Sequence, residues 1–394
     1  MAEQRDAWLT LWIDGKPYEE TTGRVLELEV DERTDGASSF RISLDMAPVA
    51  DDWDLLADGR FALLHAIAIE LGVGPTGADA PTETAMVMQG YITAVEPRFG
   101  ENRVPDTTLT ISGLDASCLM HFEERTKAWS AMTDAEIVKT IYASYGFSTD
   151  IAPTPTSRTA ERGPLVQRTT DAEMIRLLAR RNGFEAYVER TAAKVTAGAA
   201  SGLEIVGHFH LPRVGGPAQP KLDLMPRATP SILELRARWE SHRPTAFVGS
   251  HIDERTRRLG RTRIDKSRFP KLGVASRADI LKARLAVVLP TMPAAESVGR
   301  QIADVPWDQA EVESLAWADY RDADWLVEAE GTVHGLRYPK ILRARRPVEV
   351  AGAGKLLDGT WYTRGVNHRW SRHEQTKRYE VDVDLVRNAL GAVG

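Results

Sequence analysis

Cysteine is almost absent: Cys118 is the one thiol among 394 residues. An intramolecular disulfide is therefore excluded, and the expectation is a chain that folds in a reducing cytoplasm. Long apolar runs are also missing. The longest, FALLHAIAIEL, is broken by His65 and Glu70 and falls short of the roughly 20 residues that a transmembrane helix needs, so direct membrane insertion is not expected. The opening MAEQRDAWLTLW lacks the apolar stretch of a secretory signal. An excess of positive charge is lacking as well. Lys and Arg number 50 against 56 Asp and Glu, and the net charge of −6 does not suit specific grip on nucleic acid. There is no G-x-S-x-G elbow, no phosphate-binding Walker sequence and no H-E-x-x-H pair, which removes the best-marked hydrolase, nucleotide and metalloprotease classes. The repeats of a β-helical needle are missing too.

What remains is an ordinary globular composition with a clear change of pattern along the chain. The first third alternates. Leu9, Leu11 and Ile13 share one face, then Leu26, Leu28 and Val30, then Phe40, Ile42, Leu44 and Met46, with polar residues between. A period of two marks strands with one wet face, and many short strands at close spacing favour an antiparallel barrel or sandwich. Near residue 127 the pattern changes. TDAEIVKTIYASYGF (133–147) and TDAEMIRLLARRNGF (170–184) each open on Thr-x-x-Glu, a capping box, and each stops at a glycine, Gly146 or Gly183. The apolar positions Ile137, Val138 and Ile141, and Met174, Leu177 and Leu178, have helical spacing. Two stacked helix–strand units in a small α/β domain are expected. Strands return from about 230, with helices predicted at 276–287 and 307–326, and the chain closes on Tyr379, Val381, Val383 and Leu385 alternating with acids. The fold class is thus α+β, mainly β: a β region over 1–126, an α/β insert over 127–229, and a second β region over 230–394 with basic and helical insertions.

The candidate sites are few, and each has a plainer reading. GVGPTG at 72–77 matches a dinucleotide-binding pattern, but Pro75 sits inside it and no helix follows to receive a pyrophosphate, so a hairpin connection is expected. His208 and His210 share one face of a predicted strand at a spacing that can hold zinc. No third ligand stands at a telling distance, so a polar strand face is expected, as it is for His368 and His373. Cys118, with His121 three residues on, is flanked by Leu114, Leu119 and Met120 and reads as a buried structural thiol. No catalytic, cofactor-binding or metal-ligating residue is assigned, and no cofactor is expected. Residues 236–285 hold 14 Lys and Arg against 5 Asp and Glu. This run is either a solvated face or a docking surface for an acidic protein, with Arg255, Arg257, Arg258, Arg261 and Arg263 its densest cluster.

Two blocks carry a family resemblance. LVQRTTDAEMIRLLARRNGFEAYVE (165–189), through Gln167, Leu177, Leu178, Ala179, Arg181, Asn182, Gly183, Phe184 and Tyr187, resembles the phage late control D family, hub proteins related to the N-terminal half of VgrG. The closing stretch, through Trp361-Tyr362, Val366, His368, Tyr379 and Arg387-Asn388, resembles that family's last barrel. The resemblance covers about half the chain. It implies two tube-like antiparallel β-barrels around the insert, and a non-enzymatic baseplate hub of a contractile tail or contractile injection system. The hub would be a homotrimer joining a sixfold inner tube to a threefold spike. The chain ends at RNALGAVG without a spike region, so a separate spike protein is implied. Further implied partners are the inner tube protein, baseplate wedge proteins, and a tape measure or cargo. Assembly would take place in the bacterial cytoplasm. The competing readings are a tail-borne peptidoglycan hydrolase using an unmarked carboxylate pair, and a carbohydrate-binding tail module.

Overall fold

The structure is a computed structural model. It describes residues 5–75, 83–100, 107–155, 163–191, 204–224, 230–252, 257–288, 299–301, 309–373 and 376–391.

The alternating segments become strands, as their period demands. Among the described residues, one sheet of 13 strands dominates. Along it run Ile232–Trp239, Val327–His334, Thr376–Arg387, Gly359–His373, Val25–Arg33, Ser39–Asp45, Thr108–Asp115, Glu83–Arg98, Ala66–Pro75 and Arg5–Ile13, every neighbouring pair antiparallel. Lys16–Pro17 extends one end, and Pro347–Ala351 pairs with the start of Gly359–His373. The β regions from the two ends of the chain are therefore one sheet. They join where Val25–Arg33 lies against Gly359–His373, with Leu28 opposite Trp370 and Val30 opposite His368. Apolar faces from both regions fill one core, in which Leu11, Ile42, Ile69, Val327, Trp361 and Leu385 are fully enclosed. The Arg5–Ile13 strand comes round to Thr376–Arg387, where Lys377 pairs with Asp6 at 2.6 Å.

One expected face is altered by a bulge. The pairing of Val25–Arg33 with Ser39–Asp45 slips between Val25 and Glu27. The extra residue turns Val25 into the core in place of Leu26, which is only half-buried.

The insert has its own core. Both capping boxes form: Thr133 caps Asp134–Ser144 and Thr170 caps Asp171–Asn182, each with the reciprocal glutamate contact. Gly183 closes the second helix at φ 64°, and Gly146 sits at φ 73° just past the first. Phe147 and Phe184 then lead into Ser148–Ile151 and Glu185–Thr191, which flank Glu204–His210 in a three-stranded sheet. Leu177 departs from expectation and is exposed. The buried stripe of its helix runs through Met174, Ile175, Leu178 and Ala179, and at 100° per residue position 177 falls outside it. The predicted later helices appear as Arg277–Val288 and Gln309–Asp324. The second of these carries Trp317 and Tyr320 into a third apolar cluster with Phe269, Trp325, Tyr362 and Val386, placed between insert and large sheet. Gln219–Asp223, inside the stretch 127–229, joins the large sheet by parallel pairing with Pro347–Ala351.

Candidate functional site

Buried polar groups need partners, so tracing them shows what the sequence spends its charged residues on. The densest set lies where the two β regions and the insert meet. Glu32 is buried at the end of the Val25–Arg33 strand. Its carboxylate accepts from Arg343 Nε at 2.7 Å and from the Ala344 N–H at 3.1 Å. Burial pushes this carboxyl upward, but the Arg343 guanidinium outweighs it, with help from His368 and Arg345, and holds it down at about 2. His368 is fully buried, its Nδ1 2.9 Å from the Tyr379 hydroxyl and its Nε2 3.8 Å from Glu32. Arg345 donates to the Arg33 carbonyl and to Ser38 Oγ, and its guanidinium lies over the Tyr187 ring at 3.9 Å. A single arginine thus touches all three parts of the chain.

A second set ties the insert to the Gln309–Asp324 helix and the Gly359–His373 strand. Tyr362 donates to Glu185 at 2.7 Å, deep enough that burial raises the glutamate to about 7. Arg321 donates to the Phe184 carbonyl, and Arg181 pairs with Glu311 at 2.6 Å and Asp134 at 3.2 Å. Around these contacts lies a cavity of about 840 Å³, lined by Glu185, Tyr362, Arg243, Arg321, Arg364 and Glu328 among others. Two of its arginines are committed, Arg243 to Glu328 and Arg364 to Asp384.

Apart from the exposed Leu177, the residues behind the family resemblance serve the fold. Gln167 accepts from Trp129 Nε1 and donates to Asp171, the first residue of the second capped helix. Arg387 is fully buried and donates to the carbonyls of Leu357, Asp358, Leu272 and Gly391, while burial lowers it to about 10. Asn388 bonds the Leu272 N–H and the Pro270 carbonyl. At Gly183 a Cβ would sit 3.1 Å from the Ala318 backbone and 3.2 Å from the Trp317 ring.

The sequence candidates separate cleanly. Gly72–Pro75 are the end of a β-strand, and residues 76–77 lie outside the described residues. Cys118 is buried, and burial pushes its thiol up to about 11, with Asp115 adding. It is far from the thiolate form a nucleophile needs at neutral pH. His373 is exposed while His368 is enclosed, so the two do not meet. His208 and His210 do share a face, and the structure brings Asp150 to them. That residue was not legible, because it lies 58 positions away and arrives through parallel strand pairing. In the basic run, Arg257, Arg258, Arg261 and Arg263 are exposed and Arg255 lies outside the described residues. Arg277 is no part of the solvated face: it is buried and donates to the carbonyls of Glu240, Ala323 and Trp325.

No family model matches the chain and no curated protein matches it. Solved structures do. The chain is similar to a tail protein from Neisseria meningitidis, with a TM-score of 0.61 at 13% identity over 98% of both chains. It is similar to the 43 kDa tail protein of prophage MuSo2 from Shewanella oneidensis, with a TM-score of 0.60 at 12% identity over 98% of this chain and 100% of the other. It also resembles an Escherichia coli component of the type VI secretion system, described as structurally similar to T4 bacteriophage tail proteins, with a TM-score of 0.53 at 12% identity over 96% of this chain and 76% of the other. At these identities the likeness is one of fold. The chain has the mainly β fold of phage tail proteins and of a type VI secretion component, and it has that fold from end to end.

Proposed function

We propose that this protein is a structural hub in the baseplate of a contractile tail or a contractile injection system. In this reading three copies form a ring that joins a sixfold inner tube to a threefold spike carried by another protein. The observation that carries it is the single sheet spanning both ends of the chain, braced at its junction by Glu32, Arg343 and Arg345. Two β regions locked into one body suit an adapter that must transmit load without flexing, and a threefold ring of such units presents six β regions to a sixfold tube. The polar clusters fit the same role, since the charged groups at the junction are spent on internal contacts. Among the described residues no helix is long and apolar enough to cross a membrane. We place the protein's assembly in the bacterial cytoplasm, with tube, wedge and spike proteins as its partners and no enzymatic activity of its own.

Light scattering on the purified chain at micromolar concentration tests the assembly. A trimer is expected, or a monomer that becomes trimeric when the spike protein is added. A stable dimer in both conditions would sink the idea. A clear zone on a peptidoglycan zymogram would favour the hydrolase reading instead.

A further inference from the structure

Asp150, His208 and His210 form a cluster that the contacts described above between insert and large sheet do not use. Strand register builds it. Ser148–Ile151 runs parallel to Glu204–His210 with Asp150 directly opposite His208, and His210, two residues on, points the same way. Both rings are buried and the carboxylate is half-buried. The candidate donor atoms of the three side chains all lie within 4.8 Å of one another. Asp150 Oδ2 is 3.0 Å from His208 Nδ1 and 3.9 Å from His210 Nε2. Around an ion bonded at about 2.0–2.1 Å, tetrahedral donors stand about 3.3–3.4 Å apart, and the two distances bracket that separation.

The outer contacts of the rings suit a bound cation. His210 Nδ1 lies 2.8 Å from the Leu211 carbonyl, which can only accept. That nitrogen therefore carries the proton, and Nε2 turns a lone pair toward Asp150. His208 lies between two carboxylates, Asp150 at Nδ1 and Glu189 3.4 Å from Nε2. A neutral imidazole has one N–H, so one of its lone pairs must face a carboxylate. Either a second proton on the ring or a metal cation on the Asp150 side resolves this, with Nε2 facing Glu189 in both cases. Histidines backed by a carboxylate or a carbonyl are the usual outer support of metal ligands. The Tyr187 ring stacks on His208 with centroids 4.4 Å apart and fixes its plane. The Tyr187 hydroxyl, 3.5 Å from His210 Nε2, is too distant for a strong bond. Arg213 bonds Asp150 Oδ2 at 2.6 Å from a largely exposed side chain, which can swing aside.

We propose that Asp150, His208 and His210 bind one divalent transition-metal ion of the zinc class, with Glu189 and the Leu211 carbonyl orienting the rings. Two imidazoles and a carboxylate suit such an ion, and three protein donors leave one position for water. Arg213 is the competing cation, held where the metal's charge would otherwise sit. The ion would pin the outer Ser148–Ile151 strand to the centre of the insert sheet. This inference is independent of the hub reading.

The test uses the full chain, stripped with a chelator and titrated with Zn²⁺ by calorimetry and with Co²⁺ by visible absorption. One ion per chain is expected, with the intense absorption of tetrahedral Co²⁺. His210→Gln and Asp150→Asn should each weaken binding at least as much as loss of an outer partner does, about 10–100-fold. Circular dichroism checks that both variants stay folded. Arg213→Ala, a surface change, should tighten binding. No uptake of either ion by the folded parent, or uptake unaltered in both His210→Gln and Asp150→Asn, would overturn the site.

Discussion

Glu32→Gln is the sharpest probe of how the two ends of the chain are held together. The substitution keeps the shape and removes the charge that faces Arg343 and His368. Breaking a buried ion pair from one side costs about 3–5 kcal/mol, because the partner is left buried and uncompensated. Unfolding entropy is about 2.1 cal/mol/K per residue, so for a chain of this size unfolding as one unit that loss lowers Tm by about 4–6 °C. Differential scanning calorimetry reads it directly. The double variant Glu32→Leu with Arg343→Met removes both charges, and should recover at least half of the loss, since paired apolar replacements of buried ions are often neutral. The sign with pH follows from the depressed carboxyl. A folded-state value of about 2 lies below the usual glutamate value of about 4.3. The stabilisation is therefore fully present above the unfolded value, and is lost as pH falls through about 2. Glu32→Gln should lack that acid sensitivity. A Glu32→Gln chain within about 1 kcal/mol of the parent, or a double variant no better than the single, would refute the idea that this pair braces the junction.

Glu185 should behave in the opposite sense. Its carboxyl is raised to about 7, so its ionisation destabilises the fold progressively as pH climbs from the unfolded value through 7, and Glu185→Gln should lose less Tm than the parent between pH 5 and pH 8. Thr170→Ala should cost about 1 kcal/mol, the usual loss of an N-cap. Gly183→Val should cost more, because a branched side chain resists φ 64° and its Cβ would press on Trp317 and the Ala318 backbone; a thermal melt with Gly183→Val as stable as the parent would contradict this cap. Reversing Arg257, Arg258 and Arg261 to glutamate should leave folding unchanged, since exposed charges add little stability. The variant should impair particle assembly or make it salt-sensitive, and normal yields of active particles would show that these charges are only solvated.

The strands and the two capped helices were readable because they follow local rules: a period of two in Phe40 to Met46, and Thr-x-x-Glu before Ile137 and Met174. The slip at Val25 was not readable, because a bulge is set by how neighbouring strands register. Leu177 misled because helical spacing alone does not fix which side of a stripe is buried. The union of both β regions in one sheet was equally hidden. It depends on pairing between Leu28 and Trp370, and no local pattern encodes a partner so distant. The same holds for Asp150, whose meeting with His208 is a matter of parallel register. His368 had read as a polar face, yet it is enclosed, because its polar atoms face Tyr379 and Glu32 across the core.

The pairing of Val25–Arg33 with Gly359–His373 also sets a schedule for synthesis. The Val25–Arg33 strand leaves the ribosome well before the strand that covers its edge, since Asn367 reaches Glu29 across 338 positions of sequence. Until residues 359–373 have emerged, that edge has no partner of its own, and unpaired backbone groups on an edge can pair with another strand. Glu27, Glu29 and Asp31 line that edge, and charged side chains on an edge disfavour its pairing with an identical copy.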